Sequence, residues 1–526
     1  MGRVGATGEG NDRELGAVKA LPGSDHRHSL LGMIRPVIGQ PAPVHPTYAT
    51  DEVARRFWRL SYRCGRGYLS GRDALDGPVL VNHEREELAG YKRRLRITKA
   101  RGFVGPILRR YLGLVFRRPP IRPADLPPLA TEFVADATGT GVPLDTVMRR
   151  ALARAQVDRE SYLVPDMTGS PGVHNPTQAQ LAQAGTRPVV YVLNASCVLH
   201  WEEAPGGGLS EILFMWTDAN GQAILRWMDK TDFQDFTVKP GATAGGEIVS
   251  AGQQQPHGYT TMPVIRLRPV WDPDNDWAGE ASAGDSQAGP LAESQQAIAN
   301  YLSLLNEEIF NVTFSQMIAS GVDESAVKDV KVGNCRILCL PNPAARVDFI
   351  GANPAQAASI REALTDEISY LYRAAGLAPG DPLASGQAVS GVALAWRASD
   401  MASIVDALAS ATEDAENALW RVLSDAWGFH LPAPTHYTAD ADLPDFQAEA
   451  QSMQAIIAST AIPSVIRRKV AERFAARNLS LSPDEEKELA GSMTEDRAAA
   501  RAASAAASMF RMAASGMDDG NDEGAG

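Results

Sequence analysis

The sequence contains little cysteine and no long apolar run. Four of its 526 residues are cysteine, too few for a disulfide scaffold, which predicts a reducing compartment. No window of 18 apolar residues occurs. The run from Val189 to Trp201 comes nearest and is interrupted by Asn194 and Ser196, so we expect no transmembrane helix. Charged residues stand where a signal peptide has its apolar segment, so we expect no signal peptide.

The motifs of several common enzyme classes are also missing. The chain has no GxxxxGK[ST], HExxH, GxSxG or CxxC, so phosphate-cradling nucleotide motors and the usual zinc and serine hydrolases are not encoded in their familiar form. The glycine-rich stretch 241–246 lacks the lysine of a phosphate loop. We therefore expect no catalytic residue and no cofactor, and we predict that the chain is not an enzyme.

Two short patterns come close to a metal site without completing one. Cys335 and Cys339 have neither a second cysteine pair nor a nearby histidine, so two small apolar residues in a strand explain them better. The segment 272–276 begins like a calcium loop, but Trp277 replaces the required glycine and Ala283 the final glutamate. We predict no metal site.

The charge is unevenly distributed along the chain. The chain has 50 basic and 63 acidic residues, for a net charge of −13. This excludes a protein that binds nucleic acid along its whole surface. Yet the stretch 92–122 contains eleven basic residues and no acidic one. Two interpretations stay open. The stretch contacts nucleic acid, or it forms amphipathic helices whose charged face is solvated or pairs with an acidic neighbouring subunit.

Hydrophobic periodicity predicts an α+β chain that is mainly α-helical. Apolar spacings of three and four residues predict long helices over about 290–320, around 360–375 and over 391–427. Strand-like runs follow residue 188, and Asn220-Gly221 predicts a hairpin over 211–229 because both residues tolerate a positive φ.

Three features together resemble a known family. The first is the set His83-Glu84, Glu87, Tyr91 and Arg94-Leu95, followed by the run 113–120. The second is Arg187-Pro188 with the strand that leads to His200-Trp201. The third is the order of a long helix, a short β insert, a second helix, a Gly/Pro-rich loop, and Ser390–Leu394 opening a very long helix. Over about residues 50–480 the chain resembles the portal proteins of tailed bacteriophages and of related prophages or gene-transfer particles.

The resemblance implies a division of the chain into portal regions. It assigns them as a flexible N-terminal arm over 1–50, a wing over 51–285, a stem helix over 286–321, a clip over 322–352, a second stem helix over 353–376, a tunnel loop over 377–390, a long helix and wing return over 391–445, crown helices over 446–512 and a disordered acidic tail over 513–526.

It also implies a function and partners. Portal proteins form rings, commonly dodecamers, at one capsid vertex, and double-stranded DNA is packaged and ejected through the ring without sequence recognition. The resemblance therefore implies homo-oligomers that contact terminase, head-completion or adaptor proteins and the major capsid or scaffolding protein. It places the chain in the virion after assembly in the bacterial host cytoplasm, with no membrane partner.

Two sets of residues are candidates for the channel. The tunnel loop contributes small and flexible positions, which are Gly380, Asp381, Ser385, Gly386, Gln387 and Ser390. The stem helices contribute carboxylates, which are Glu307, Glu308, Glu362, Asp366 and Glu367. Carboxylates suit a conduit because each neutralised phosphate would slow the sliding of DNA, although an ordinary solvated helix face explains them equally well.

Two other functions compete with a portal. A virion adaptor or helical scaffold protein without a pore would share the long amphipathic helices but would not need the Gly/Pro-rich loop. A nuclease or ATPase of the packaging motor would need the phosphate loop or the clustered catalytic residues that the sequence lacks.

Overall fold

The computed structural model describes most of the chain between residues 35 and 438. Within that range it leaves out 66, 72–76, 85, 169–184, 205–207, 218–221, 240–244, 270–285, 314–315, 321–345, 351–353, 378–390, 429–430 and 432. All described residues belong to the first of the two units into which the chain divides, Met1–Ala441. The crown, the acidic tail, the tunnel loop after residue 377, most of the clip, Cys335, Cys339 and the calcium-like segment lie outside them.

The described part of the chain contains eight α-helices. They are α1 (Tyr48–Arg63), α2 (Leu88–Ile97), α3 (Val104–Val115), α4 (Pro128–Ala135), α5 (Leu144–Asp158), α6 (Ala288–Thr313), α7 (Pro354–Ala374) and α8 (Gly391–Trp427). The predicted long helix over 391–427 is confirmed. It ends where Gly428 adopts a φ of 65°, the left-handed conformation that glycine supplies after a helix.

Eleven strands in the described residues form three sheets. They are β1 (Ser161–Met167), β2 (Pro188–Asn194), β3 (Val198–Glu203), β4 (Leu209–Thr217), β5 (Ala223–Met228), β6 (Asp232–Val238), β7 (Ile248–Ala251), β8 (Gln255–Pro256), β9 (Ile265–Leu267), β10 (Gln316–Ser320) and β11 (Arg346–Ile350). The orders are β2-β1-β9, β3-β4-β5-β6-β7 with β8 paired to β6, and β10-β11. The predicted hairpin is confirmed, since β4 and β5 pair antiparallel from Ile212↔Met228 to Thr217↔Ala223.

The first predicted stem helix is shorter than the sequence pattern indicates. The helix stops at Thr313, and the next segment is β10, which pairs antiparallel with β11 over five residue pairs. The prediction of a helix over 286–321 is therefore wrong at its C-terminal end. The apolar spacing of three to four residues ends at Val312, inside the observed helix, and the predicted extension to 321 goes beyond it. Residues 316–320 form a strand because they pair with a segment about 30 residues later.

The predicted flexible arm is wrong for residues 35–50. This segment follows the edge of the six-stranded sheet, with backbone hydrogen bonds from Ala42 N to Gly246 O and from Ile248 N to Gln40 O, both 2.9 Å. The Arg35 guanidinium lies over the Trp227 ring at 5.2 Å. The glycines and prolines of residues 35–50 indicated a loop, but the segment is ordered because it pairs with an exposed strand edge.

The same segment packs on the His200-Trp201 pair of β3. The His45 ring stacks on Trp201 with centroids 4.0 Å apart, and its edge meets His200 at 5.3 Å. Burial, together with the neighbouring His45 ring, lowers the pKa of His200 to about 4. His200 is therefore neutral at pH 7, and the contact between this segment and the sheet is an aromatic one.

The main core lies between the helices and the three-stranded sheet. Helix α3 contributes a buried stripe at spacings of three and four residues, and α5 contributes another. Helix α8 crosses the same core with Val405, Leu408, Leu419 and Trp420 fully or nearly fully buried. Two smaller clusters cover the faces of the six-stranded sheet.

Leu408→Ala tests the burial of α8 in this core. Leu408 has no exposed surface, so we expect the free energy of unfolding to fall by about 2–5 kcal/mol. The neighbouring Ser410 is exposed, and Ser410→Ala should change it by less than about 0.5 kcal/mol. Urea unfolding followed by circular dichroism measures both. Equal stabilities of the two variants would show that α8 does not cross the core.

Candidate functional site

Helices α6 and α7 form an antiparallel pair that is held by the core at one end. They contact each other along their length, and Glu308 near the end of α6 lies beside 355–360 at the start of α7. Leu291 and Ile298 of α6 and Leu371 of α7 are buried in the main core. The start of α6 and the end of α7 are thus the anchored end of the pair.

Gln295 fixes the anchored end of α6 to two other helices. This fully buried amide accepts hydrogen bonds from the backbone N–H groups of Phe103 and Val104 at 2.6 and 3.1 Å, at the start of α3. It also donates to the Ser61 carbonyl, at the end of α1, at 3.0 Å. Backbone groups at helix ends lack partners within their own helix, and one side chain of α6 satisfies three of them.

Further contacts fix α6 one and two turns later. Asn300 accepts from Val81 N at 2.9 Å and donates to Val79 O at 3.0 Å. Arg94 of α2 donates to the Ser303 hydroxyl at 3.0 Å. Arg94 belongs to the sequence motif that carries the family resemblance, and its place in the structure is to join α2 to α6.

Helix α7 is fixed to α3 at its C-terminal end. The Tyr111 hydroxyl donates to the Ala375 carbonyl, and the rings of Phe103 and Tyr372 meet edge to face at 6.3 Å. Gly376 then turns the chain with a φ of 60°. The predicted tunnel-loop residues Gly380, Asp381, Ser385, Gly386, Gln387 and Ser390 follow directly and lie outside the described residues.

The other end of the helix pair has almost no buried core. Leu371 is the one buried side chain among those described in α7, and none of those described in α6 after Ser303 is buried. Apolar side chains are exposed there instead, with Leu304 at 47%, Ile309 at 44% and Phe310 at 38%, and Tyr370, nearer the anchored end of α7, is 53% exposed. We call these four residues the apolar surface of the pair.

The predicted stem carboxylates fall into two groups. Glu307 and Glu308 of α6 face their own chain, since Glu307 forms an ion pair with Arg93 of α2 and Glu308 lies beside the N-terminal turn of α7, where the helix dipole favours a negative charge. Glu362 and Asp366 are exposed on the side of α7 opposite Leu371, and Glu367 is half-buried. A channel wall on this pair would draw its charge from Glu362 and Asp366.

Helix α8 holds the chain that follows it through one buried carboxylate. Glu416 accepts from Arg122 Nε at 2.7 Å, from Trp420 Nε1 at 3.1 Å and from the Tyr437 hydroxyl. Burial and the nearby Glu416 charge raise the pKa of Tyr437, so this phenol keeps its proton and remains a donor. The predicted wing return thus packs on α8, and Ile121 and His436 pair as a short bridge.

A buried charge network, which sequence reasoning missed, joins α1, α5, β1 and β9. Its centre is Glu160, whose Oε1 lies 3.5 Å from Arg55 and whose Oε2 lies 2.8 Å from Arg268. The residue before it, Arg159, has a φ of 74°, a strained conformation for a residue with a side chain. The tight turn after α5 thereby places Glu160 between strands and helix.

The network sets the ionisation of Glu160. Burial alone would raise its pKa, but the positive charges of Arg268, Arg266, Arg55 and Arg159 outweigh burial and lower it to about 2. Apart from the adjacent Arg159, the partners of Glu160 are distant in sequence and separately look like ordinary surface charges, so only the fold brings them together.

The basic stretch 92–122 divides into internal and exposed residues. Three of its members pair within the chain: Arg93 with Glu307, Arg94 with Glu86 and Arg122 with Glu416. Seven others are exposed: Lys92, Arg96, Lys99, Arg101, Arg109, Arg110 and Arg117. Internal ion pairs explain part of the stretch, and its exposed residues form no ion pair with a described carboxylate.

Searches of the described residues for two other kinds of site found neither. No cluster of three or more His, Cys, Asp or Glu side chains in them could hold a metal ion. None of the helices they form is long and apolar enough to cross a membrane.

Comparisons with known proteins give a structural likeness at low similarity. The sequence matches no family model and no curated protein. Two similar solved structures are the neck of an empty gene-transfer-agent (GTA) particle, computed with C6 symmetry, and the neck of a native GTA particle, computed with C12 symmetry. For the first, sequence identity is 12% and the TM-score 0.39, over 70% of this chain and 89% of that chain. For the second, sequence identity is 11% and the TM-score 0.38, over 82% of this chain and 95% of that chain.

Glu160→Gln tests the buried network through its pH dependence. Folding lowers the pKa of Glu160 from 4.5 to about 2, so the folded state binds this proton less tightly than the unfolded chain. The resulting stability is present above pH 4.5 and is lost as the pH falls towards 2. At pH 7 the variant leaves buried arginines unpaired and should lose about 3–5 kcal/mol.

Comparing the free energy of unfolding at pH 7 and pH 3 distinguishes the loss of the Glu160 charge from a simple loss of packing in Glu160→Gln. The wild type should lose stability over this range, and Glu160→Gln should lose about 2 kcal/mol less, because it has no carboxylate to protonate there. Glu203→Gln, which removes a half-exposed partner of Arg266, should cost less than about 1 kcal/mol. Parallel pH profiles of wild type and Glu160→Gln would contradict the lowered pKa.

Proposed function

We propose that the chain is the ring-forming portal subunit of a phage-like particle. In this proposal, copies of the α6/α7 pair stand side by side around an axis and line a channel for double-stranded DNA. In this proposal the chain acts as a conduit and docking platform and not as an enzyme. The ring is a dodecamer at one capsid vertex, and terminase, the adaptor proteins and the capsid or scaffolding protein are its partners.

The apolar surface of the helix pair carries this proposal. Most helical stability in proteins comes from packing an amphipathic face, and isolated helices are marginal in water. The free end of the α6/α7 pair has almost no buried side chain, yet it exposes Leu304, Ile309 and Phe310. A neighbouring copy of the pair on each side would cover such a surface, because exposed apolar patches mark contacts between proteins.

The order of elements supports a portal over an adaptor or scaffold without a pore. Helix α6, the β10-β11 ladder, α7, a segment containing glycine and proline, and the 37-residue α8 follow one another as the resemblance implies. A two-stranded ladder is marginal alone, so it too would gain from neighbouring copies.

The exposed carboxylates of α7 fit a wall along which DNA slides. Glu362 and Asp366 lie one turn apart on the outer side of the helix, where they would repel phosphates. A cationic wall would release counterions on contact and bind DNA more tightly with each neutralised phosphate.

Leu304→Glu with Tyr370→Glu tests the ring. Both side chains are about half exposed in the single chain, so the subunit should stay folded, while a charge placed between neighbouring pairs should keep it monomeric. Size-exclusion chromatography with light scattering measures the mass. Val249→Glu, at an equally exposed apolar residue of β7, is the matched control and should assemble like the wild type. Normal rings from the double variant would refute this interface.

Glu362→Lys with Asp366→Lys tests the channel wall. We expect wild-type rings to bind duplex DNA weakly. The variant should bind it at least tenfold more tightly at low salt, with a steeper loss of affinity as salt rises. Fluorescence anisotropy with a labelled duplex measures both. Asp125→Lys with Glu247→Lys makes the same charge change at exposed residues outside α7, and an equal gain in that control would show that α7 does not face the DNA.

A further inference from the structure

The exposed residues of the basic stretch form no ion pair in the described part of the chain. We call the seven exposed residues the basic face: Lys92, Arg96, Lys99, Arg101, Arg109, Arg110 and Arg117. None of them forms an ion pair with a described carboxylate, whereas Arg93, Arg94 and Arg122 of the same stretch do. No acidic residue occurs between 88 and 124, so the positive potential of this face is not neutralised locally.

Helix α3 positions Arg109 and Arg110 of the basic face. Its exposed positions are 106, 109, 110 and 113, and the same spacing leads on to Arg117. They lie opposite the buried stripe that packs into the core. Arg109 lies over the Tyr62 ring at 5.7 Å, and Arg149 of α5 adds a charge beside the face by lying over Phe116 at 5.2 Å. Arg109 and Arg110 are thus carried by a helix whose opposite side is packed in the core.

The long helix α8 carries a surface of the opposite charge. Its exposed positions recur at 406, 410, 414, 421 and 425, and three of them are Asp406, Asp414 and Asp425. Arg421 is the one basic residue among the exposed positions described on this helix. We call Asp406 and Asp414, two turns apart, the acidic stripe.

The two surfaces fit a head-to-tail contact between copies. The chain is acidic overall, with a net charge of −13, and the basic face differs from it in sign. A second copy of the chain therefore carries negative charge that the basic face can bind. In a two-fold contact the two surfaces would pair twice with each other and the assembly would end at a dimer. A heterologous contact brings two different surfaces of the same chain together, which is the contact that closes rings.

We propose that the basic face of one copy binds the acidic stripe of α8 in the next copy. This inference rests on the proposed ring and names a second contact within it, separate from the apolar surface of the helix pair. Charge complementarity between different faces fixes the direction in which subunits follow one another and suppresses wrong pairings. Association of subunits should accordingly weaken as salt rises.

Two charge-reversal variants test the contact. Arg109→Glu with Arg110→Glu makes both surfaces acidic, and Asp406→Lys with Asp414→Lys makes both basic. Each variant alone should need at least about tenfold more protein than the wild type to reach half assembly, because like charges meet at every contact. An equimolar mixture should assemble at the wild-type concentration, since the two chains can alternate around the ring.

The controls separate this contact from folding and from the proposed function. Lys230→Glu with Lys239→Glu reverses two exposed charges outside the basic face and should assemble normally. Thermal unfolding by circular dichroism checks that each variant is folded. A wild type that never forms rings would refute the proposed function instead, and the contact with it.

Three results would overturn the inference while leaving the ring intact. The first is that Arg109→Glu with Arg110→Glu assembles like the wild type. The second is that the mixture of the two folded variants fails to assemble. The third is that the arginine variant forms rings but loses affinity for a labelled duplex, which would assign the basic face to nucleic acid.

Discussion

Two long helices that cannot bury their own apolar side chains are the constraint on which this structure depends. Helices α6 and α7 pack against each other, but one neighbour covers only one side of a helix, and at the free end of the pair Arg93 of α2 adds a contact to Glu307 and Phe310 without burying the helix. Leu304, Ile309 and Phe310 remain exposed there, as does Tyr370 nearer the anchored end. Burial of apolar area is the main favourable term in association, so this surface favours assembly with further copies.

The rest of the described chain holds the anchored end of that pair rigid. Gln295 satisfies backbone groups of α1 and α3, Asn300 and Ser303 attach α6 to the chain around α2, and Tyr111 holds the end of α7. Buried polar groups with their partners in place fix one geometry, since any other arrangement leaves them unpaired. The Glu160 and Glu416 networks do the same for the sheet and the long helix. A ring requires such rigidity because small errors in angle between subunits accumulate around the circle.

Long periodic segments could be predicted from the sequence, and contacts between distant segments could not. Helix α8 and the β4-β5 hairpin followed from local spacing and from the Asn-Gly turn. The C-terminal part of the first stem helix did not, because β10 owes its conformation to β11. Residues 35–50 look flexible in composition and are ordered by a sheet edge. Of the predicted carboxylates, Glu362 and Asp366 lie on an exposed face, whereas Glu307 is paired with Arg93. Glu160 had no signal in the sequence, since all of its arginine partners except the adjacent Arg159 come from distant segments, around residues 55 and 266–268.

Imaging the purified full-length chain by negative-stain electron microscopy tests the central claim most directly. The account predicts closed rings in end views, with an axial opening wide enough for a DNA duplex and the same number of subunits in every closed ring. Isolated particles of single-chain size at micromolar concentration and moderate salt, with no axial opening, would contradict it.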